Sequence, residues 1–215
     1  MKISKTKVLG FEEAFEAMRN PMDSWAKSDT NWSETELNFP RVPFTDAPFE
    51  IGKEDLVLAK KLIHGGTEHR KFLRLIQVWA VWELPRYVWT EADTYKVGLT
   101  RMSCSTMHKL GTKDLSVNDF QDCEVLPNTL DTLNDLGRQY RETKDYQLVR
   151  QMKRILPEGF IQRADVNFNY EVAMNMFRQR HNHRLPEWRL NADKVNEPSI
   201  CDWLYELPHF KTLVE

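Results

Sequence analysis

Most apolar residues of this chain follow the spacing of one helical face, and a single run alternates along the chain instead. The alternating positions in that run are Ile76, Val78, Ala80 and Trp82. Alternation at period two indicates a strand that is buried on one face and partly on both. Helical spacing is found in the other patterned segments, which are 11–19, 53–63, 129–143, 146–155, 167–180 and 200–207. The two patterns together predict an α+β fold.

A segment with neither pattern, residues 20–51, is rich in proline and aromatic side chains. These are Pro21, Pro40, Pro43, Pro48, Trp25, Trp32, Phe39, Phe44 and Phe49. A long loop of this composition packs onto the body of a domain, or it serves as a lid over a ligand or as an arm that contacts another subunit. Residues 20–51 are therefore predicted to be an aromatic loop or arm of a single domain that extends over residues 1–215.

The charge balance and the cysteines exclude several classes of protein. The 30 basic and 32 acidic residues give a formal net charge of -2, which does not favour sequence-independent binding to a nucleic acid backbone. Cys104, Cys123 and Cys201 lack the paired spacing of a zinc site, as expected of reduced thiols in a cytoplasm, and the histidines offer no zinc spacing either. No segment approaches the roughly 18 apolar residues of a membrane span. We therefore expect a cytoplasmic protein without a metal, a nucleic acid partner or a membrane partner.

A dense polar cluster lies at the end of the 167–180 helical pattern. Its members are Asn169, Asn175, Arg178, Arg180, His181, Asn182, His183 and Arg184. Asn169 and Arg180 are about three helical turns apart, so the pattern predicts that they share one face of a helix. A solvated basic helix end explains such a cluster, because cations favour helix C-termini. An anion site explains it equally, because a guanidinium fork matches a phosphate or a deprotonated imide ring.

Several of these residues resemble a motif of the flavin-dependent thymidylate synthases, and more closely that of divergent phage-encoded members. The family carries a Leu-Pro pair, matched by Leu156 and Pro157, and a later helix with four characteristic polar positions. Three of those four positions are matched here, by Asn169, Asn175 and Arg180. The fourth is an arginine in the family and is Glu171 in this chain.

The resemblance extends upstream with larger departures. Residues 69–85 align with a His-containing segment of the family and the strand that follows it. Glu91 then stands at a nucleotide-contacting glutamine, and residues 94–96 replace the family's Arg-His-Arg motif. Ser103 and Ser105 fall on a Glu-x-Ser pair, of which Ser105 alone is retained.

The resemblance implies helices around an antiparallel sheet, a homotetramer, and binding of FAD and dUMP. It implies methylation of dUMP at C5, with methylenetetrahydrofolate as the carbon donor and NADPH as the reductant, in the cytoplasm of a bacterium or of a phage-infected host cell. By the same resemblance, the nucleotide-binding residues are Glu91, Ser103, Ser105 and Arg180. The cofactor-binding residues are His69, Arg74, Thr94, Tyr95, Lys96, Asn169 and Asn175. No residue is given a catalytic role.

The altered arginine motif leaves two other hypotheses open. In the first, the chain is a catalytically altered or inactive member of this scaffold that binds a nucleotide or a protein. In the second, it is a subunit-interface protein whose aromatic arm is the working surface. We expect the functional difference to lie in residues 91–108, because Glu91 and Asp93 make that segment less positive than Arg-His-Arg.

Overall fold

Four strands of the described residues form one antiparallel sheet. The computed structural model describes residues 1–30, 50–191 and 198–215. The strands are β1 (Lys2–Leu9), β2 (Gln77–Pro85), β3 (Leu99–Ser103) and β4 (Ile161–Asn169), in the order β1-β2-β4-β3. The alternating run found in the sequence is β2, which is a central strand of the sheet because it has a neighbour on each side.

Helices fill most of the remaining described segments. They are α1 (Phe11–Ala17), α2 (Lys53–His64), α3 (Arg86–Ala92), α4 (Thr106–Lys109), α5 (Pro127–Thr143), α6 (Tyr146–Ile155), α7 (Tyr170–Arg180), α8 (Ile200–Tyr205) and α9 (Phe210–Val214). The predicted fold class, an α+β domain with helices around an antiparallel sheet, is confirmed. The assignment of all 215 residues to one domain stays a prediction.

The helix predicted over residues 167–180 begins three residues too early. Residues 167–169 are the end of β4, where Ala164, Val166 and Phe168 are buried at every second position. Phe168 is 1% exposed, and its ring meets that of Trp203 edge to face at 6.0 Å. Burial at period two therefore keeps these residues extended, and the helix starts only at Tyr170.

The chain divides into two compact units, and the division falls within each of the four strands. The first unit consists of Met1–Ser4, Val81–Lys96 and Arg101–Val166. The second consists of Lys5–Ala80, Val97–Thr100 and Asn167–Glu215. Of the residues singled out in the sequence, Glu91, Thr94, Tyr95, Lys96, Ser103 and Ser105 belong to the first unit, and the other site residues belong to the second.

The first unit has an apolar core under α5 and α6. Leu133 and Met152 from these two helices are buried together with Leu110, Leu115, Phe120 and Leu156. Asp145 caps α6, since its side chain accepts a hydrogen bond from the backbone N–H of Gln147 at 2.9 Å. The bounds of α6 are those that the helical spacing predicts.

The core of the second unit is built around α7. Tyr170, Ala173, Met174 and Met176 on this helix are buried. The ring of Tyr170 meets that of Phe210 edge to face at 5.6 Å, and its hydroxyl donates to the carbonyl of Pro208 at 2.6 Å. These contacts fix α7 in the unit, so the polar side chains on its other face have defined positions.

The aromatic arm predicted over residues 20–51 is described only at its ends. Two short 3-10 turns, Asn20–Met22 and Trp25–Lys27, follow α1. The choice between packing, lid and subunit contact concerns mainly residues 31–49, which lie outside the described part of the chain.

Candidate functional site

Asn169 links the sheet to α7 and caps the helix. Its backbone is extended, and its side-chain oxygen accepts a hydrogen bond from the backbone N–H of Val172 at 3.1 Å. This is the usual role of an asparagine at a helix N-cap. The prediction that Asn169 and Arg180 share one helical face is wrong, because Asn169 lies outside the helix.

Glu171, in the first turn of α7, binds two arginines of the same unit. The residue is 8% exposed, and its carboxylate accepts hydrogen bonds from the Nε atoms of Arg70, at 3.1 Å, and of Arg74. Both arginines lie on the 3-10 turn Arg70–Arg74, one at each end. The side chain of Arg70 is 12% exposed and that of Arg74 is 50% exposed, so only Arg74 is open to a ligand.

Asn175 lies one helical turn beyond Glu171 on the same face of α7. Its side-chain oxygen accepts from Nη2 of Arg70 at 3.3 Å. Since a guanidinium only donates, the oxygen of this amide must point to Arg70 and its NH₂ group must point away. The same reasoning applies to Asn169, whose oxygen faces a backbone N–H. Within the described residues, neither of these two NH₂ groups has a hydrogen-bond partner.

Arg178, one turn further, completes what we call the arginine cluster: Arg70, Arg74, Glu171, Asn175 and Arg178. Burial lowers the pKa of Arg178, and the positive charge of Arg70 lowers it further. Burial alone would raise the pKa of Glu171, but its hydrogen bonds to Arg74 and Arg70 outweigh this and keep it below the usual range. Two guanidinium groups thus share one ionised carboxylate, and the charge of Arg178 acts on that of Arg70. The cluster therefore suits an anionic or acceptor-rich ligand.

The polar residues at the end of α7 are largely bonded to one another. Arg180 approaches Nε2 of His183 at 2.9 Å, and its guanidinium lies over the ring of Trp188 at 5.4 Å from the centroid. The ring of His181 stacks on that of Phe177 at 5.6 Å. Arg180 is about 13 Å from Glu171 along the helix axis, so it does not belong to the arginine cluster.

The predicted residues of the first unit lie at the end of α3 and in the turn after it, and at the end of β3 and just before α4. Thr94 is in a 3-10 turn, and its hydroxyl donates to the carbonyl of Glu91 at 2.7 Å. Ser105 caps α4 by accepting from the backbone N–H of His108 at 3.3 Å. Lys96 and Ser103 are exposed, and Tyr95 is partly buried. In the second unit, exposed His69 directly precedes the Arg70–Arg74 turn.

Sequence reasoning missed three members of the arginine cluster. Arg70 was given no role, Arg178 was named only as part of the polar cluster at the end of the helical pattern, and Glu171 was treated only as a departure from a motif. Arg70 is four positions before Arg74, and Arg178 is three positions after Asn175, so helical spacing was an available signal. Among the sequence-predicted cofactor residues, Arg74 and Asn175 are brought into this cluster, and Asn169 lies two residues before Glu171.

The described residues limit other kinds of site. Over residues 1–30, 50–191 and 198–215, no three or more His, Cys, Asp or Glu side chains are grouped so that they would hold a metal ion. Within the same ranges, no helix combines the length and the apolar character needed to cross a membrane.

The solved structures with a similar fold include the following two. One is a flavin-dependent thymidylate synthase, ThyX, from Helicobacter pylori with FAD and dUMP, which is 15% identical and superposes with a TM-score of 0.64 over 100% of both chains. The other is a further ThyX structure from Helicobacter pylori complexed with FAD and dUMP, which is 14% identical, with a TM-score of 0.59 over 86% of each chain. No protein-family model matches the sequence, and no curated protein matches it either. The chain therefore has a flavin-dependent thymidylate synthase-like fold.

Proposed function

We propose that this chain is a nucleotide enzyme of flavin-dependent thymidylate synthase type, which binds FAD and acts at C5 of dUMP. The observation that carries the proposal is the arginine cluster on α7, where hydrogen-bond donors and positive charge are gathered on a fold of this type. The two solved structures of similar fold contain FAD and dUMP, and this supports the choice of ligands.

The side chains of Asn169 and of the arginine cluster fit a flavin, because most of them are hydrogen-bond donors. An isoalloxazine ring and a diphosphate present acceptor oxygens, and the NH₂ groups of Asn169 and Asn175 are oriented to donate to such oxygens. Arg178 is exposed and is the cation of the cluster that would hold a phosphate, since the other exposed arginine, Arg74, is paired with Glu171. When bound, FAD would supply hydride-transfer chemistry, for which NADPH and methylenetetrahydrofolate are the co-substrates that the family resemblance implies.

The protein's own contribution is orientation. The cap bond of Asn169 and the bond from Arg70 to Asn175 fix both amides before any ligand arrives, so no rotamer freedom is lost on binding. At the far end of α7, Arg180 would hold the pyrimidine ring of dUMP. Burial raises the pKa of the Cys201 thiol to about 12, so this cysteine stays protonated and is not a nucleophile. The proposed chemistry needs no cysteine nucleophile.

One observation favours a second candidate function, a catalytically altered nucleotide-binding member of the same scaffold. Glu171 already binds both Arg70 and Arg74, and this glutamate stands at a family arginine position. Thr94 and Tyr95 likewise replace two cations of the Arg-His-Arg motif. If these replacements weaken the binding of a phosphate group, the protein would still bind a nucleotide, but its turnover would be lowered or abolished.

The test is an FAD titration of the purified protein followed by its absorption spectrum, with and without dUMP. The proposal predicts a yellow complex that NADPH bleaches by reducing the flavin, and a return of the yellow colour when dUMP and methylenetetrahydrofolate are both supplied. Binding of both ligands without turnover would favour the second candidate. A colourless protein that binds neither FAD nor dUMP would refute the proposal.

A matched pair of variants locates the site. Asn175→Ala removes one oriented donor of the cluster and should weaken FAD binding about threefold to tenfold. Gln139→Ala removes an exposed side-chain amide from α5 and should leave FAD affinity unchanged. Equal effects of the two substitutions would show that the flavin does not bind at the arginine cluster.

A further inference from the structure

The carboxylate of Glu171 occupies the position between two guanidinium groups that an anionic ligand would otherwise take. It accepts from Nε of Arg70 and Nε of Arg74, and its side chain is 11% exposed. A phosphate that approached this pair of arginines would meet a fixed negative charge a few ångströms away. The repulsion is strong here because the carboxylate is buried and poorly screened.

The two arginines differ in their exposure and in their partners other than Glu171. Arg70 is only 12% exposed and donates to Asn175 as well as to Glu171, so it is held away from a ligand. Arg74 is half exposed and has no partner other than Glu171 among the carboxylates of the described residues. Arg74 is therefore the group over which a ligand phosphate and Glu171 compete.

We propose that Glu171 is a built-in counter-anion that determines ligand specificity at the arginine cluster. It keeps Arg74 occupied, so the cluster binds the uncharged acceptor groups of a ligand readily and binds a phosphate without help from Arg74. The identity of the nucleotide used to test this rests on the proposed function, but the competition itself concerns any phosphate-bearing ligand.

The experiment is calorimetric titration of wild-type protein and the Glu171→Gln variant with three probes: dUMP, deoxyuridine and inorganic pyrophosphate. Glutamine keeps the size and removes the charge. The variant should bind dUMP and pyrophosphate at least tenfold more tightly than the wild type, because a like charge has been removed beside the phosphate. Its affinity for deoxyuridine, which has no phosphate, should stay within twofold.

Glu158→Gln is the matched control. Glu158 also forms an ion pair with an arginine, Arg86, but its side chain is 58% exposed and it belongs to the other unit. This substitution makes the same change of net charge and should leave the affinity for all three probes within twofold. A gain with Glu158→Gln as large as with Glu171→Gln would overturn the proposal, because the effect would then come from net charge alone.

Arg74→Gln keeps the proposal testable if Glu171→Gln does not fold. In the wild-type background, Arg74→Gln should change dUMP affinity less than twofold, because Glu171 already holds the arginine. In the Glu171→Gln background, the same substitution should weaken dUMP binding at least fivefold. A tenfold loss in the wild-type background would overturn the proposal, since Arg74 would then be bound to the ligand rather than to Glu171.

The probes separate this proposal from the proposed function. If Glu171→Gln binds pyrophosphate more tightly while no variant binds dUMP or deoxyuridine, the counter-anion is supported and the nucleotide enzyme is refuted. Unchanged dUMP and pyrophosphate affinity in a folded Glu171→Gln variant would refute the counter-anion, whether or not the wild type binds FAD.

Discussion

Replacing Asp55 by alanine should strongly destabilise the protein, because this buried carboxylate is the centre of a network at the base of the aromatic arm. Asp55 is 0% exposed, and it accepts from Nε of Arg19 at 2.7 Å and from the hydroxyl of Ser28 at 2.6 Å. It also accepts from the backbone N–H of Thr30 at 3.2 Å. The network thus joins the segment after α1 to the start of α2.

The magnitude follows from what Asp55→Ala leaves behind. Arg19 is 6% exposed, so the substitution would leave a buried guanidinium without its counter-ion. Breaking a buried ion pair from one side costs about 3 to 5 kcal/mol of the free energy of unfolding. For a domain of this size that corresponds to a fall in melting temperature of roughly 6 to 20 °C.

Urea denaturation followed by circular dichroism measures this loss. The control is Asp114→Ala, which removes an exposed carboxylate that is also paired with two arginines, Arg138 and Arg141. Because these partners are solvated, the control should unfold at nearly the wild-type urea concentration. If Asp55→Ala unfolds as late as the control does, the buried network does not stabilise the fold as argued.

The same network predicts an acid dependence. Burial alone would raise the pKa of Asp55, but hydrogen bonds from Ser28, Thr30 and Arg19 outweigh it and place the pKa below the usual 3.8. The unfolded chain therefore takes up the proton first as the pH falls. The stabilisation is fully present above about pH 4 and is lost as the pH falls through the folded pKa, so wild type and Asp55→Ala should converge in stability there.

Three further predictions concern ligands and assembly. Arg180→Ala should weaken dUMP binding at least tenfold in calorimetry, about 1.4 kcal/mol, and unchanged affinity would remove Arg180 from the site. Restoring Arg-His-Arg at Thr94, Tyr95 and Lys96 should raise FAD affinity, and a folded triple variant whose FAD affinity does not change would show that this segment is misaligned with the family. Light scattering should give a multiple of the 25.5 kDa chain mass, because the aromatic arm has more apolar surface than a monomer needs, and a clean monomer at micromolar concentration would contradict it.

Sequence pattern predicted the elements whose periodicity is strong. The alternating run gave β2, and helical spacing gave α5 and α6 almost to the residue. β1 was missed because its residues are mostly polar, as in KISKTKVL, and an edge strand with lysines shows little alternation. β4 was missed because the alternation of Ala164, Val166 and Phe168 was not recognised, and its last three residues were assigned to the helix that follows.

The site was harder to predict than the fold because its bonds join residues that are distant in sequence. Arg74 and Asn175 were singled out separately. Arg70 donates to both Glu171 and Asn175, which are about one hundred positions further along the chain, and no spacing rule indicates such a contact. In the sequence, the replacement of the family's arginine by Glu171 indicates only a loss of positive charge. The fold shows that this carboxylate has a role of its own, which is to hold two arginines.

The most direct test of the central claim is a crystal structure of the protein with FAD and dUMP, in which the distance from Nδ2 of Asn175 to the bound ligand is measured. An acceptor atom of the flavin or the nucleotide is expected within about 3.5 Å of that nitrogen, with Arg178 beside a phosphate. A ligand bound away from α7, or a crystal grown with both compounds that holds neither, would contradict it.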